Sequence, residues 1–299
     1  MVTITFEQVI LLFIFALLGY ILGKKRIVNS EHAGLLSKLE VYVFLSCMTF
    51  KTFAKEFTVN TIREKYSLIL LSIVILALIS LAAYLLAKWL SKNAYEKKVY
   101  IYSLTVPNYG YMGYVLVEAL FGSEMLLDLM IFALPVSVYV YTIGYILLTN
   151  AKFTPKMLLQ PTVIMMGVGC LVGLSGVELP GIITEVTVKG SACVAPVSMI
   201  LLGIVLSDFC LEELLLDKKY YLVSLLRLII FSCTIILLLK PLCAMEEIII
   251  AGILYAMPCG LNTIVFPKMV GENCKIGAGL ACISSILACI TIPICVGIM

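Results

Sequence analysis

The stretch Pro107-Asn108-Tyr109-Gly110-Tyr111-Met112-Gly113 sits in the middle of one apolar run, and Pro258-Cys259-Gly260-Leu261-Asn262-Thr263 in the middle of another. Proline and glycine weaken a helix, and asparagine is costly in hydrocarbon. Lipid cannot satisfy backbone groups freed at midspan, so such breaks survive only where they are buried in protein or line a cavity. The two prolines are 151 residues apart, about half the chain. Paired interruptions at matching places in two halves point to the binding site of a secondary transporter.

The composition agrees. Of 299 residues, 62% are hydrophobic and 13% charged, and the mean hydropathy is +1.12. Soluble domains carry roughly a quarter charged residues, so the bilayer is the expected solvent. A net charge of +3 is too small to suggest a nucleic-acid partner. The eleven cysteines form no C-x-x-C pair and lie mostly inside apolar runs, where they read as small packing residues. The single histidine, His32, falls in a charged loop, and no metal site is expected. Met1 to Gln8 has no basic region and no cleavage site follows, so the first helix is expected to stay. No P-loop, H-E-x-x-H or G-x-S-x-G is present, and Glu212-Glu213 is followed by Asp217 where a membrane glutamic protease needs arginine. An enzyme is not expected.

A bilayer core of ~30 Å takes roughly 20 apolar residues per helix. On that ruler ten spans are predicted, at 7–23, 33–53, 66–90, 97–121, 127–149, 158–177, 182–207, 219–242, 246–270 and 276–298. Five spans per half is odd, so the second half must insert upside down. The predicted fold is all-α and integral to the membrane, with inverted five-helix repeats at 1–150 and 151–299 and broken fourth and ninth helices. With both termini outside, thirteen basic residues fall in cytoplasmic connections and six in external ones, as the positive-inside rule prefers. Lys51, Lys55, Arg63 and Lys65 run against it.

The candidate substrate-binding residues are Asn108 and Asn262 with their flanks Pro107, Tyr109, Gly110, Pro258, Gly260 and Thr263. A helix resuming after a break points its partly positive N-terminus into the protein, and an amide donates without the cost of a buried charge. Such a site suits a small carboxylate. Arg227, eight residues into the eighth span, must seek a carboxylate, a carbonyl or an anionic substrate, and is the candidate charge partner. A cation antiporter, the alternative, needs a carboxylate near the crossing point. Glu118 and Asp208 lie towards span ends, and Lys38 and Glu40 open span two without facing each other. No cofactor is expected. The coupling ion, H+ or Na+, and a homodimer stay open. Gly19 and Gly23, like Gly167, Gly169 and Gly173, read as packing faces.

The order of these features resembles the auxin efflux carrier family, which includes plant auxin exporters and bacterial malate or malonate permeases. Pro107-Asn108 followed by Met112-Gly113 is similar to the family signature P-N-x-x-x-[MLF]-G. Gly19 to Lys24, Pro196 before Leu201-Leu202-Gly203, Arg227, and Pro258 with Asn262 also fit. The resemblance implies crossing helices four and nine, an elevator-type carrier in the cell membrane, and an asparagine, here Asn108, on the substrate carboxylate. Three departures stand out. Leu45-Ser46-Cys47 replaces Leu-Pro-Ala, which predicts a less broken second helix. Val115 replaces a proline, and Gln160-Pro161 stands where Asn-Pro is common.

Overall fold

The computed structural model describes residues 2–29 and 33–298, and His32 lies outside them. The helices run α1 (Val2–Lys24), α2 (Ala33–Glu56), α3 (Val59–Leu90), α4 (Ala94–Thr105), α5 (Tyr109–Phe132), α6 (Leu134–Thr149), α7 (Pro161–Ser175), α8 (Gly181–Leu206), α9 (Leu211–Leu216), α10 (Lys218–Leu239), α11 (Met245–Ala256), α12 (Asn262–Met269) and α13 (Lys275–Ile298). Among the described residues six helices are long and apolar enough to cross a membrane, or seven if bent pairs count as one span. These are α1, α2, α3, α8, α10 and α13, with α5 and α6 the bent pair, inclined at 45°.

The remaining expected spans are shorter for identifiable reasons. Pro107 and Pro258 stop α4 and α11 at 12 residues each, about 18 Å at 1.5 Å per residue, well short of a bilayer core. α7 has 15 residues, opening at Pro161 and ending on Gly176 in the left-handed region. The predicted gap at 122–126 is a single residue. Gly122 takes φ 85°, ψ −176° and turns the chain inside α5. Gly271, at the end of α12, likewise has φ 74°. Both values lie where only glycine is unstrained.

The second helix is continuous, as its missing proline predicted, but it contains a π turn at Glu40–Phe44. Elsewhere the packing is set by close backbone approach. A Cβ on Gly203 of α8 would sit 1.9 Å from the Ala16 carbonyl of α1, and one on Gly173 of α7 would sit 2.4 Å from the Phe57 carbonyl beside α2. Gly167 faces open space instead, so that part of the predicted packing face is lipid-side or vacant. The first helix of each half thus packs on the second helix of the other: α1 on α8, α7 on α2. Large apolar side chains on the outer faces of α1 and α3, among them Ile14, Leu17, Leu78 and Leu85, are exposed, as lipid contact requires.

The four basic residues that ran against the positive-inside rule are mostly neutralised. Lys51 meets Glu118 at 2.5 Å, Lys55 meets Glu56 at 2.8 Å and Lys65 meets Asp128 at 2.7 Å. Glu118, which lies towards a span end, is therefore an ion-paired residue.

Candidate functional site

At the centre, the ends of α4 and α11 meet and the two unwound stretches pair with each other. Asn108 N–H donates to the Pro258 carbonyl at 2.9 Å, and Gly260 N–H to the Val106 carbonyl at 3.2 Å. Pro107 and Cys259 form an isolated antiparallel bridge. The approach is close: a Cβ on Gly260 would lie 3.3 Å from the Val106 oxygen. Prolines at 107 and 258 bring no N–H that needs a partner.

Arg227 supplies donors for the helix ends. It is completely buried, with Nε donating to the Met257 carbonyl at 3.0 Å and Nη1 to those of Ser103 and Leu104 at 3.1 and 2.7 Å. The carbonyl ends of α4 and α11 carry partial negative charge, and one guanidinium offsets both. Cys259 N–H finds Ser284 Oγ at 3.0 Å, and Thr263 Oγ1 caps the Gly260 carbonyl at 3.0 Å. The freed backbone is thus largely satisfied inside the protein, which is the condition for a break at this depth.

On the other side of the crossover lies a cavity of about 80 Å³, lined by Pro107, Asn108, Tyr109, Gly110, Gly260, Leu261 and Asn262 together with side chains of α2, α5, α6 and α7. A site of ~10–15 Å³ on this measure holds one water, so there is room for several waters or a small solute. None of its lining side chains is charged. The starts of α5 and α12 face it, and these N-terminal ends are the ones Arg227 leaves uncompensated. Asn108 is 3% exposed, and its Nδ2 has no hydrogen-bond partner among the described residues. Asn262 Nδ2 donates to Tyr102 Oη at 3.0 Å, and Tyr109 Oη pairs with Ser137 Oγ at 2.8 Å.

A wider groove of about 540 Å³ shares Val41, Tyr111, Tyr141 and Asn262 with the cavity and opens past Ser37, Lys38, Gln160 and Met269. Six of the eight predicted binding residues therefore line the cavity. Pro258 and Thr263 do not, and serve the backbone around it. Arg227 does not reach it either, and its partners are helix carbonyls.

Residues 4–157 match the model of a family described as membrane transport protein, the auxin efflux carrier family. The chain belongs to this family. No curated protein matches it. An auxin efflux carrier family protein is a membrane transporter, and the matched residues include the first unwound stretch and the helices that lead into and out of it.

Several residues of this transporter's centre were not visible in its sequence. Tyr102 and Ser137 lie in unremarkable apolar stretches, and only their partners mark them. Glu40 opened a span near Lys38 without facing it, and its sequence context assigned it no role. It is completely buried, and Ser198 of α8 stands at 2.8 Å from its Oε1. No sequence signal distinguished it, because the π turn that begins at Glu40 resets which residues of α2 face inward.

Proposed function

We propose that the protein is a secondary carrier moving a small organic anion, a carboxylate such as malate, malonate or an auxin-like acid, across the cell membrane. The observation that carries this reading is the buried, partnerless Nδ2 of Asn108 at the wall of a cavity faced by two helix N-termini. An unpaired buried donor costs about 1–3 kcal/mol, and an arriving carboxylate oxygen satisfies it. The helix starts favour negative charge without requiring a buried lysine or arginine. Asn262 and the tyrosines supply the remaining polar contacts, and the apolar lining fits the carbon body of the acid.

In this reading the chain crosses the membrane ten times, as inverted repeats 1–150 and 151–299, with each broken pair of arms counting as one crossing. The exchanged packing of α1 on α8 and α7 on α2, and the matching turns at Gly122 and Gly271, support that symmetry. The glycine-seated helix pairs supply a stiff frame, and the crossover unit moves against it in an elevator-type cycle. With both termini outside, the groove beside Lys38 and Met269 opens inward, while Lys51–Glu118 closes the outer side.

The test is uptake of labelled malate, malonate, lactate and indole-3-acetate into proteoliposomes, at zero and imposed potential, for wild type and Asn108→Ala. Saturable uptake of one acid, lost in a folded variant, supports the carrier. Uptake indifferent to the substitution places the site elsewhere.

A further inference from the structure

Three carboxylates are buried among the described residues, and two of them meet a lysine. Asp128 pairs with Lys65 at 2.7 Å and Glu96 with Lys219 at 3.1 Å. Glu40 meets no cation among the described residues. Among the described residues its Oε2 has no hydrogen-bond partner, and Oε1 has the Ser198 hydroxyl. A full charge held in that way in a hydrocarbon-flanked interior is very costly.

The geometry of Ser198 leaves the Glu40 carboxyl short of donors. Its Oγ stands 2.5 Å from the Val194 carbonyl and 2.8 Å from Glu40 Oε1. A hydroxyl has one hydrogen and two lone pairs. That one hydrogen serves both the Val194 carbonyl and Glu40 Oε1, so the carboxyl has at most a shared donor against its charge, and a proton on it removes the uncompensated charge.

The position is also suggestive. Glu40 begins the π turn of α2, a distortion frequent at functional sites. Its chain neighbours Ser37, Lys38 and Val41 line the groove, and Val41 reaches the central cavity. Tyr111 of the first unwound stretch lines both spaces, pairs with Ser37 and lies within electrostatic reach of Glu40. Of the other elements packed on this turn, α8 brings Ser198, and α7 brings the apolar Val163 and Met166. Lys38 is exposed, and Cys47 and Cys193 face each other farther along the helices.

We infer that Glu40 is the proton-carrying group of the transport cycle, protonated while the anion is bound and releasing its proton on the side where the anion leaves. This rests on the anion-carrier reading above. Glu40 itself lines neither space. The step, Glu40–COOH to Glu40–COO⁻ plus a proton to water, therefore takes place when the cycle brings the carboxyl to the groove, and it is reversed on the other side. One proton with one monoanion moves no net charge. An ionised Glu40 repels an anion in the adjoining cavity and a neutral one does not. Binding of proton and anion is therefore mutually favourable, as linkage demands.

The experiment compares wild type and Glu40→Gln in proteoliposomes carrying an internal pH dye. Net uptake under an imposed pH gradient is measured beside exchange of labelled for unlabelled acid. In wild type, uptake is expected to be accompanied by internal acidification. In the variant the ratio of net uptake to exchange should fall tenfold or more, with no acidification. An unchanged ratio, acidification that persists in the variant, or a wild type driven by a sodium gradient but not by pH overturns the proposal.

A second measurement does not depend on transport. Infrared spectroscopy of the folded protein at neutral pH should show the C=O band of a protonated carboxyl that Glu40→Gln lacks. Should that variant not fold, Ser198→Ala keeps the carboxyl, and the band should move to higher wavenumber as its partner is lost. Absence of the band, or its indifference to both substitutions, overturns the proton on Glu40 while leaving the anion reading standing. A wild type that moves no acid in either mode overturns the anion reading, and the coupling with it, whatever the band shows.

Discussion

The backbone N–H of Asn108 donates to the carbonyl of Pro258 at 2.9 Å, across 150 residues of chain. Each break supplies what the other lacks, and the pairing holds Asn108 with its side chain at the cavity wall. Its φ of −80° and ψ of 57° belong to no helix, and its own carbonyl receives Met112 and Gly113 N–H at 3.3 and 3.1 Å.

Asn108→Ala removes the unpartnered donor while keeping the backbone pair. A hydrogen bond to a charged acceptor contributes about 1.5–3 kcal/mol, so apparent substrate affinity should weaken about ten- to a hundredfold. Asn108→Asp should be worse, because it opposes the anion with a like charge. Concentration-dependent uptake in proteoliposomes measures both.

Arg227 serves the fold. Arg227→Ala strips donors from three buried carbonyls, and a loss of about 3 kcal/mol or more is expected. Arg227→Lys should recover only part of it, since an ammonium cannot reproduce the planar fork that spans both arms. Thermal unfolding in detergent, followed by circular dichroism, separates the three proteins.

Gly203→Ala should be costly where Gly167→Ala is not. The added methyl at 203 meets backbone of α1 at 1.9 Å, while at 167 nothing lies within 4 Å. Forcing α1 and α8 apart should cost about 1–3 kcal/mol. The pair of melting curves tests whether backbone contact, and not small size alone, fixes these glycines.

Lys51 and Glu118 bridge α2 and α5 at 2.5 Å, with side chains 19% and 27% exposed. Lys51→Glu should slow transport several-fold, about 1 kcal/mol of pairing. The double variant Lys51→Glu, Glu118→Lys should restore it if the contact acts as a pair, as a double-mutant cycle would report.

Orientation can be read from Cys210. It is exposed and follows Phe209, whose carbonyl accepts from Lys24 Nζ at 3.0 Å. With Cys210 as the remaining cysteine, an impermeant maleimide should label it from inside and leave intact cells unlabelled. Labelling from outside would reverse the predicted topology.

Much of this was written locally. Apolar runs of membrane length, the breaks at Pro107 and Pro258, and the turns at Gly122 and Gly271 follow from short-range chemistry: solvent preference, a missing N–H, a missing Cβ. They are legible because each depends on a residue and its immediate neighbours. Which partners these features meet depends on residues far away in the chain. That the two breaks hydrogen-bond each other, that Arg227 turns to helix carbonyls and away from the cavity, and that Glu40 lies buried against Ser198 were settled only when the helices packed. A lone arginine or glutamate in an apolar run announces a partner but not its identity, because the low-dielectric interior fixes only that some partner, or some proton, must be there.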